Sequence, residues 1–392
     1  FKRFGHQDNF KMWYEKDVPI NQRGLDPYVN TIGDYLKKMG YQTSVIGKWH
    51  MGAHSKFSPV NYGFDYHYGI NGAGSLYAPS SKKNIIESKQ TWDFADFITW
   101  QVTKYYTLEN GKNSIPENSE YLTDVFTKKA VNYIKENKDK PFFLHLSHMA
   151  PHGPFQAQKK YYDLFSHIKD HNKRVYYAMI KNLDDSVGEI KKTLEREGIL
   201  DNTLIIFTSD NGGATYTRAT NNSPYIGGKM SNFEGGTVVP MMMQWNNKIK
   251  PQQNYSHMVS LLDIVPTILD AVESPSLSNK YDGVSLLPFF KSEDKKPHDE
   301  LFWKTGYVKS IVSKNYKLHI NEKENFKFLI NLDNDPEERN NLISKYPEKT
   351  KELTLKLNNW IKDLQEPKWD SNADVSIPID NSENSKRYFF PW

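Results

Sequence analysis

Thr203-Leu204-Ile205-Ile206-Phe207-Thr208-Ser209-Asp210-Asn211-Gly212-Gly213 reads as a strand that empties into a turn. Residues 203–207 are a short apolar, β-branched run, as expected of a buried strand. Asp210 and Asn211 then fall at its carboxyl end, where open α/β sheets bind their ligands. A carboxylate beside an amide carbonyl suits a hard cation such as Ca²⁺ or Mg²⁺. The glycine pair lets the chain turn closely beside a ligand. An Asn-Gly turn without a ligand is the plain alternative, so the rest of the chain has to decide.

With 392 residues the chain is long enough for one large domain and a smaller one. A hydrophobic content of 38% and a charged content of 25% are those of a globular protein. No apolar run approaches the roughly 18 residues of a membrane span. Basic residues number 51 and acidic residues 47, a balance that gives no electrostatic footprint for nucleic acid. There is no Cys, which excludes disulfides, zinc thiolates and a Cys nucleophile within these residues. The sequence opens on Phe1 with no signal peptide, so compartment cannot be read from it.

Other candidate stretches lie on both sides of the opening one. Residues 1–27 read as loop, and Tyr28 to Met39 has helical spacing with Gly40 as its stop. Tyr41 to Ile46 reads as a strand running into Gly47-Lys48-Trp49-His50-Met51-Gly52. In extended chain residues two apart share a face, so Lys48 and His50 would project together as an anion site, a surface Lys and a packed His being the plainer reading of this stretch alone. Residues 53–120 read as loops and short elements that shape a pocket. Tyr121 to Glu136 reads as a helix, and Pro141 to Ser147 as a strand covered on both faces. That strand leads to Ala150-Pro151-His152-Gly153-Pro154, whose prolines restrict the backbone around His152. Lys173 to Glu197 is the longest predicted helix. Its Asp184-Asp185 pair reads as solvated or capping carboxylates.

Gly227-Gly228-Lys229-Met230-Ser231-Asn232-Phe233-Glu234-Gly235-Gly236 follows the Asp210 turn. Its glycine pairs permit close backbone approach, a flexible hairpin with an exposed Lys being the alternative. Val238 to Trp245 reads as a strand and His257 to Val272 as an amphipathic helix. A Ser/Pro-rich stretch from Glu273 to Asn279 reads as a boundary. Beyond it come alternating strands at 301–303, 307–312, 317–320 and 326–330, a helix at 347–364 and a turn-rich tail. The expected fold is α/β: a large mixed, mostly parallel sheet flanked by helices, with a smaller C-terminal α+β subdomain. The expected division is a larger domain over 1–275 and, over 276–392, an antiparallel-sheet subdomain with helix and tail.

Taken in order, Gly-Lys-Trp-His-Met-Gly (47–52), Ala-Pro-His-x-Pro (150–154), Leu-Asp-Asp-Ser-Val-Gly (183–188), Thr-Ser-Asp-Asn-Gly-Gly (208–213) and Gly-Lys-x-x-x-x-Glu-Gly-Gly (228–236) form a specific constellation. It resembles the type I, formylglycine-dependent sulfatase family of the alkaline phosphatase superfamily. The resemblance continues through 260–269, 282–287 and 331–342, and covers nearly everything to about 365. It implies that Asp210 and Asn211 are metal ligands, for Ca²⁺ ahead of Mg²⁺. It implies that Lys48, His50, His152 and Lys229 contact the sulfate as catalytic residues. Cations of this kind stabilise the charge that builds on the bridging oxygen as the S–O bond breaks. Substrate contacts are expected in variable loops at 53–80, 153–172 and 214–226, with His67, Tyr77, Arg218 and Asn222 as candidates.

Two family features are not in this sequence. The family makes its formylglycine from the Cys or Ser of a Cys/Ser-x-Pro-x-Arg motif, and no such motif is present. No strand with the family's first acidic pair precedes Phe1. Arg3-Phe4-Gly5-His6 resembles a segment that follows the nucleophile helix in relatives. The expectation is therefore a chain that begins just downstream of a formylglycine it lacks and is inactive alone. The implied function is removal of sulfate from a sulfated carbohydrate. A phosphodiesterase or phosphonate monoester hydrolase of the same superfamily is the alternative, and a non-catalytic glycan-binding relative a third. The resemblance also implies a formylglycine-generating or anaerobic sulfatase-maturing enzyme as partner, and a periplasmic or extracellular home.

Overall fold

The computed structural model describes residues 22, 24–92, 94–275, 281–291, 295–365, 374–378 and 387–391. The Arg3–His6 segment and positions 276–279 of the Ser/Pro-rich stretch lie outside them. Two compact units emerge, one of Tyr14–Thr203 and one built on Leu204–Trp392.

The first unit holds α1 (Ile32–Lys38), β1 (Gln42–Lys48), β2 (Tyr66–Ile70), β3 (Ile85–Ser88), α2 (Phe94–Val102), β4 (Leu108–Glu109), β5 (Lys112–Asn113), α3 (Leu122–Asn137), β6 (Phe142–Ser147), β7 (Phe155–Gln158), α4 (Lys159–Leu164) and α5 (His171–Arg196). α1 starts at Thr31 rather than Tyr28, because Thr31 and Asp34 close a reciprocal capping box there. Five strands form one sheet in the order β5-β4-β2-β1-β6. β1 runs parallel to β2 and β6, whereas β4 pairs antiparallel with β2 and β5. β1 is buried at five consecutive positions, as suits a central parallel strand. β6 ends the order of this sheet, and burial lowers the pKa of its His145. α3 packs against β1 and α5, burying Leu122, Val125, Phe126 and Ala130. On α5, Asp184 and Asp185 both pair with Lys181 at the surface, as solvated carboxylates do.

The second unit begins with β8 (Ile205–Thr208), α6 (Glu234–Thr237), β9 (Met241–Gln244) and α7 (Ile264–Ala271). β8 and β9 pair antiparallel. α7 is shorter than the predicted 257–272 helix. Ser260 caps a single 3₁₀ turn at Leu261–Asp263, and the buried Asp263 carboxylate is taken up by Ser260 N, Val284 N and His298. β10 (Glu300–Thr305), β11 (Val308–Ser313), β12 (Tyr316–Asn321) and β13 (Phe326–Asn331) make an antiparallel sheet in chain order. α8 (Pro347–Lys362) covers one face, where Leu353 and Leu357 meet Ile311, Leu318 and Leu329. On the other face Ile226 and Phe233 cluster with Val308, Tyr388 and Phe390. The last two belong to β15 (Arg387–Pro391), which pairs with β14 (Asp374–Pro378). The tail predicted as turn-rich therefore contains a strand pair, with Tyr388 and Phe390 turned inward. The fold class is α/β with a C-terminal sheet subdomain, as the sequence leads one to expect.

Candidate functional site

In the first unit Lys48 ends β1, and hydrogen bonding to the end of β2 and the residue after it continues past Lys48. Trp49 N donates to Ile70 O at 2.8 Å and His50 N to Asn71 O at 3.0 Å. Trp49 is anchored by Nε1 donating to Phe57 O at 2.7 Å and by packing on Tyr62 and Phe64. Ser147 Oγ donates to Lys48 O at 2.7 Å. Gly47 has φ +116, and a side chain there would meet Ser147 O at 2.0 Å, so only glycine fits. The expectation that Lys48 and His50 share a face through strand alternation is corrected here. The strand stops at Lys48, and His50 is left-handed at φ +54. A non-glycine residue held in that region stores strain of the kind that collects at functional sites.

His152 lies exposed beyond β6. Its N–H donates to Met149 O at 2.8 Å and its Nδ1 donates to Gly153 O at 2.7 Å. Because a carbonyl only accepts, Nδ1 carries a proton, which fixes the ring tautomer. Tyr77 Oη donates to His152 O at 2.9 Å. Tyr77, expected to touch substrate, is 1% exposed and stacked on Tyr121, so its part is to hold the His152 backbone. His67 is corrected more sharply. It sits on β2 rather than in a loop, is fully buried, and has no hydrogen-bond partner on either ring nitrogen. Burial pushes its pKa down to about 4, keeping it neutral and out of reach of a substrate.

In the second unit the residues after β8 are interlocked with the 226–237 segment. Asp210 is exposed and Asn211 half-buried. Asn211 Nδ2 donates to Gly212 O at 3.0 Å, which leaves Oδ1 as the acceptor of that side chain. The pair supplies two oxygen donors, the chemistry a hard cation takes. Among the described residues no group of three or more His, Cys, Asp or Glu could hold a metal. The pair fits a metal, but as part of a larger ligand shell.

Gly212 N donates to Gly236 O at 3.0 Å, and Lys229 N to Gly213 O at 3.1 Å. Side chains at Gly212 and Gly228 would meet Gly235 O at 1.8 Å and Gly213 O at 2.4 Å. The glycine pairs thus serve close backbone approach, not a flexible hairpin. Lys229 is half-buried; burial lowers its pKa and the nearby Asp210 carboxylate opposes that shift. Asn222, a second expected substrate contact, is instead a clasp. Its Oδ1 accepts from Gly213 N, and its Nδ2 donates to Gly213 O and Gly227 O. Arg218 is exposed, with φ +59 at the end of a 3₁₀ turn.

The site reading passed over the buried polar residues on β12 and in the 331–342 stretch. Lys317, His319 and Asn321 alternate along β12 as a solvated face would, yet all three are buried. Their alternation with apolar neighbours is the signal of two faces, and only the cover over the polar face was illegible.

The chain matches the sequence model of the sulfatase family over residues 5–274. It also matches that of the N-sulphoglucosamine sulphohydrolase C-terminal region over 228–367. It is similar to an uncharacterized sulfatase, YdeN, of Escherichia coli, at 32% identity over 323 residues, 73% of this chain and 51% of the relative. It is similar to the N-acetylgalactosamine-6-sulfatase of Mus musculus at 27% identity, covering 76% of this chain and 55% of that one. The chain thus spans about half the length of these curated relatives. Among solved structures it resembles Ps i-CgsB in complex with k-i-k-neocarrahexaose, with a TM-score of 0.79, 27% identity, and 94% and 81% of the two chains covered. The sulfatase match takes in every candidate residue from Lys48 to Lys229, and on that ground the chain belongs to the sulfatase family.

Proposed function

We propose that the protein containing this chain hydrolyses sulfate esters of a carbohydrate, with Lys48, His50, His152 and Lys229 holding the sulfate group. The observation that carries this reading is the backbone bond from Lys229 N to Gly213 O. It docks a half-buried cation beside the turn bearing Asp210 and Asn211. The chain's family membership supports the same reading, as do the names of the sugar sulfatases it resembles. Lys and His donors fixed before reaction favour the charge that develops on the leaving oxygen. They also hold the ester for in-line attack. His152, with its Nδ1 proton committed to Gly153 O, would donate from Nε2 as an imidazolium, the form in which both ring nitrogens carry protons.

Asp210 and Asn211 would hold Ca²⁺, which when bound supplies positive charge to the sulfate oxygens. The family's formylglycine nucleophile has no precursor among these residues, which contain neither Cys nor Ser-x-Pro-x-Arg. The reading therefore includes a maturing enzyme as partner and an extracellular or periplasmic site of action. No described helix is long and apolar enough to cross a membrane. We assign 1–275 to a catalytic domain and 276–392 to a C-terminal subdomain, supported by a family match that ends at 274. Sulfate release from a panel of sulfated oligosaccharides, run beside phosphodiester substrates, tests the proposal. Faster turnover of the phosphodiesters, or of neither class, would replace it with one of the alternatives.

A further inference from the structure

Beneath the Gly235-Gly236 step lies a buried charge cluster. Lys317 Nζ is 2.5 Å from Glu234 Oε1 and 3.3 Å from Glu338 Oε1. Glu338 Oε2 accepts from Glu234 N at 2.5 Å, and His319 Nε2 donates to Glu338 Oε1 at 2.8 Å. Ser310 Oγ, 2.7 Å from His319 Nδ1, closes the far end. The Lys317 and Glu338 side chains are wholly buried. Phe233 lies on His319 with ring centroids 4.5 Å apart. Glu338 itself is left-handed, at φ +59. Burial pushes its carboxyl up, but Lys317, His319 and the Glu234 amide outweigh that and hold it below the usual carboxylate range. Burial keeps His319 low, so it donates to Glu338 as a neutral ring.

Such a cluster is a poor way to gain stability, since apolar residues of equal volume often do as well or better. What it supplies is direction: charge-assisted hydrogen bonds fix positions that apolar contacts leave free to slide. The element fixed is the short segment on which the candidate site is assembled. Gly235 N donates to Ile226 O at 2.8 Å, which ties down the strand of chain leading into Lys229. Gly236 O receives Gly212 N at 3.0 Å, which ties down the turn after Asp210 and Asn211. Moving Glu234 therefore moves both groups.

We propose that Glu338 is a positioning residue for the sulfate site: acting with Lys317 through Glu234, it sets the placement of Lys229 and of the Asp210-Asn211 pair from the C-terminal sheet. This rests on the sulfatase reading for its consequence in catalysis, but not for the coupling itself.

The test uses Glu338→Gln and Glu338→Asp in the full protein. The first keeps the shape and removes the charge. The second keeps the buried charge balance, so the fold is retained, and shortens the reach by one carbon. Hydrogen exchange followed by mass spectrometry is expected to speed up about tenfold or more in peptides spanning 207–214 and 226–236 for Glu338→Asp, with β11 and β12 still protected. In the active protein the same variant is expected to lower kcat about 10- to 100-fold with KM within about twofold. Unchanged exchange in the two segments would overturn the proposal. So would equal loss over β11 and β12, which would mean a purely structural role. Loosened segments with unaltered kcat would overturn the link to catalysis. A parent protein that releases no sulfate would instead remove the sulfatase reading, while the exchange result would still decide the coupling.

Discussion

The hydroxyl of Tyr77 donates to the backbone carbonyl of His152 at 2.9 Å, joining residues 75 positions apart. Tyr77 is also held at its backbone, where its N–H donates to Gln156 Oε1 at 2.7 Å. Gln156 Nε2 in turn donates to Ala78 O and Glu87 Oε1, so the loop carrying His152 is fastened to a buried amide network. Tyr77→Phe removes one hydrogen bond without changing the packing, at a cost of about 1 kcal/mol in stability. In the active protein it is expected to lower kcat by about tenfold with little change in KM, because a displaced His152 costs positioning rather than affinity. A steady-state comparison checks this. If Tyr77 contacts substrate directly, KM will rise instead.

Lys229 is the cation whose surroundings are best defined. Its backbone is bonded to Gly213, and its neighbours Gly227 and Met230 both have positive φ, which bends the loop tightly around it. Lys229→Ala is expected to lower turnover by about 10²–10³, as loss of a preorganised donor does, with a smaller effect on substrate binding. Lys229→Arg is expected not to restore it, since a planar guanidinium is wider and places its donors differently. Turnover of Lys229→Ala within about twofold of the parent would take this residue out of the site.

The metal pair allows a measurement that needs no turnover. Two protein oxygens leave most of a calcium shell of six to eight ligands to water, so Ca²⁺ binding to the 392-residue chain alone is expected to be weak. Asp210→Ala is expected to abolish it. Asn222→Ala is expected to weaken it as well, although Asn222 is no ligand, because it loses three bonds to Gly213 and Gly227 that shape the turn. Calorimetric titration with Ca²⁺ reads all three. An Asp210→Ala chain that keeps the parent affinity would show that the cation sits elsewhere.

The helices and strands were legible because their periodicity is their own: α3, α5, α8 and β10–β13 lie within a few residues of their predicted bounds. The resemblance that the glycine-flanked motifs carry assigned Asp210, Asn211 and Lys229 to one site, and Gly213 O, just past the pair, accepts from Lys229 N. What could not be read was which polar side chains tertiary packing would use up. His67, Tyr77 and Asn222 carry hydrogen-bonding groups at pocket-like positions, yet burial or backbone bonds occupy them. The left-handed turn at His50 was equally hidden, since non-glycine residues give no local signal for positive φ. Lys317 and Glu338 were passed over for the opposite reason. Surface residues by type, they are buried only because the 226–237 segment and β12 meet.

His67 yields a pH dependence whose sign follows from its burial. Its pKa is lowered from 6.5 to about 4, so below pH 6.5 the unfolded chain binds a proton that the folded chain refuses. The stability attached to the neutral ring is complete above pH 6.5 and is lost as pH falls from there toward 4. At pH 5 the loss is about 2 kcal/mol, from a gap of roughly one and a half pH units below the unfolded pKa. His148 is also lowered to about 4 by burial and acts in the same direction, so the wild-type loss exceeds the share of His67 alone. The variant His67→Leu isolates that share. Neither ring nitrogen of His67 has a hydrogen-bond partner, so an apolar side chain there forfeits no hydrogen bond. Urea unfolding at pH 7.5 and pH 5 is expected to show wild type losing about 2 kcal/mol more than His67→Leu between the two conditions. Equal losses would mean that the ring is protonated in the folded state, and therefore that His67 faces water or an anion rather than the core.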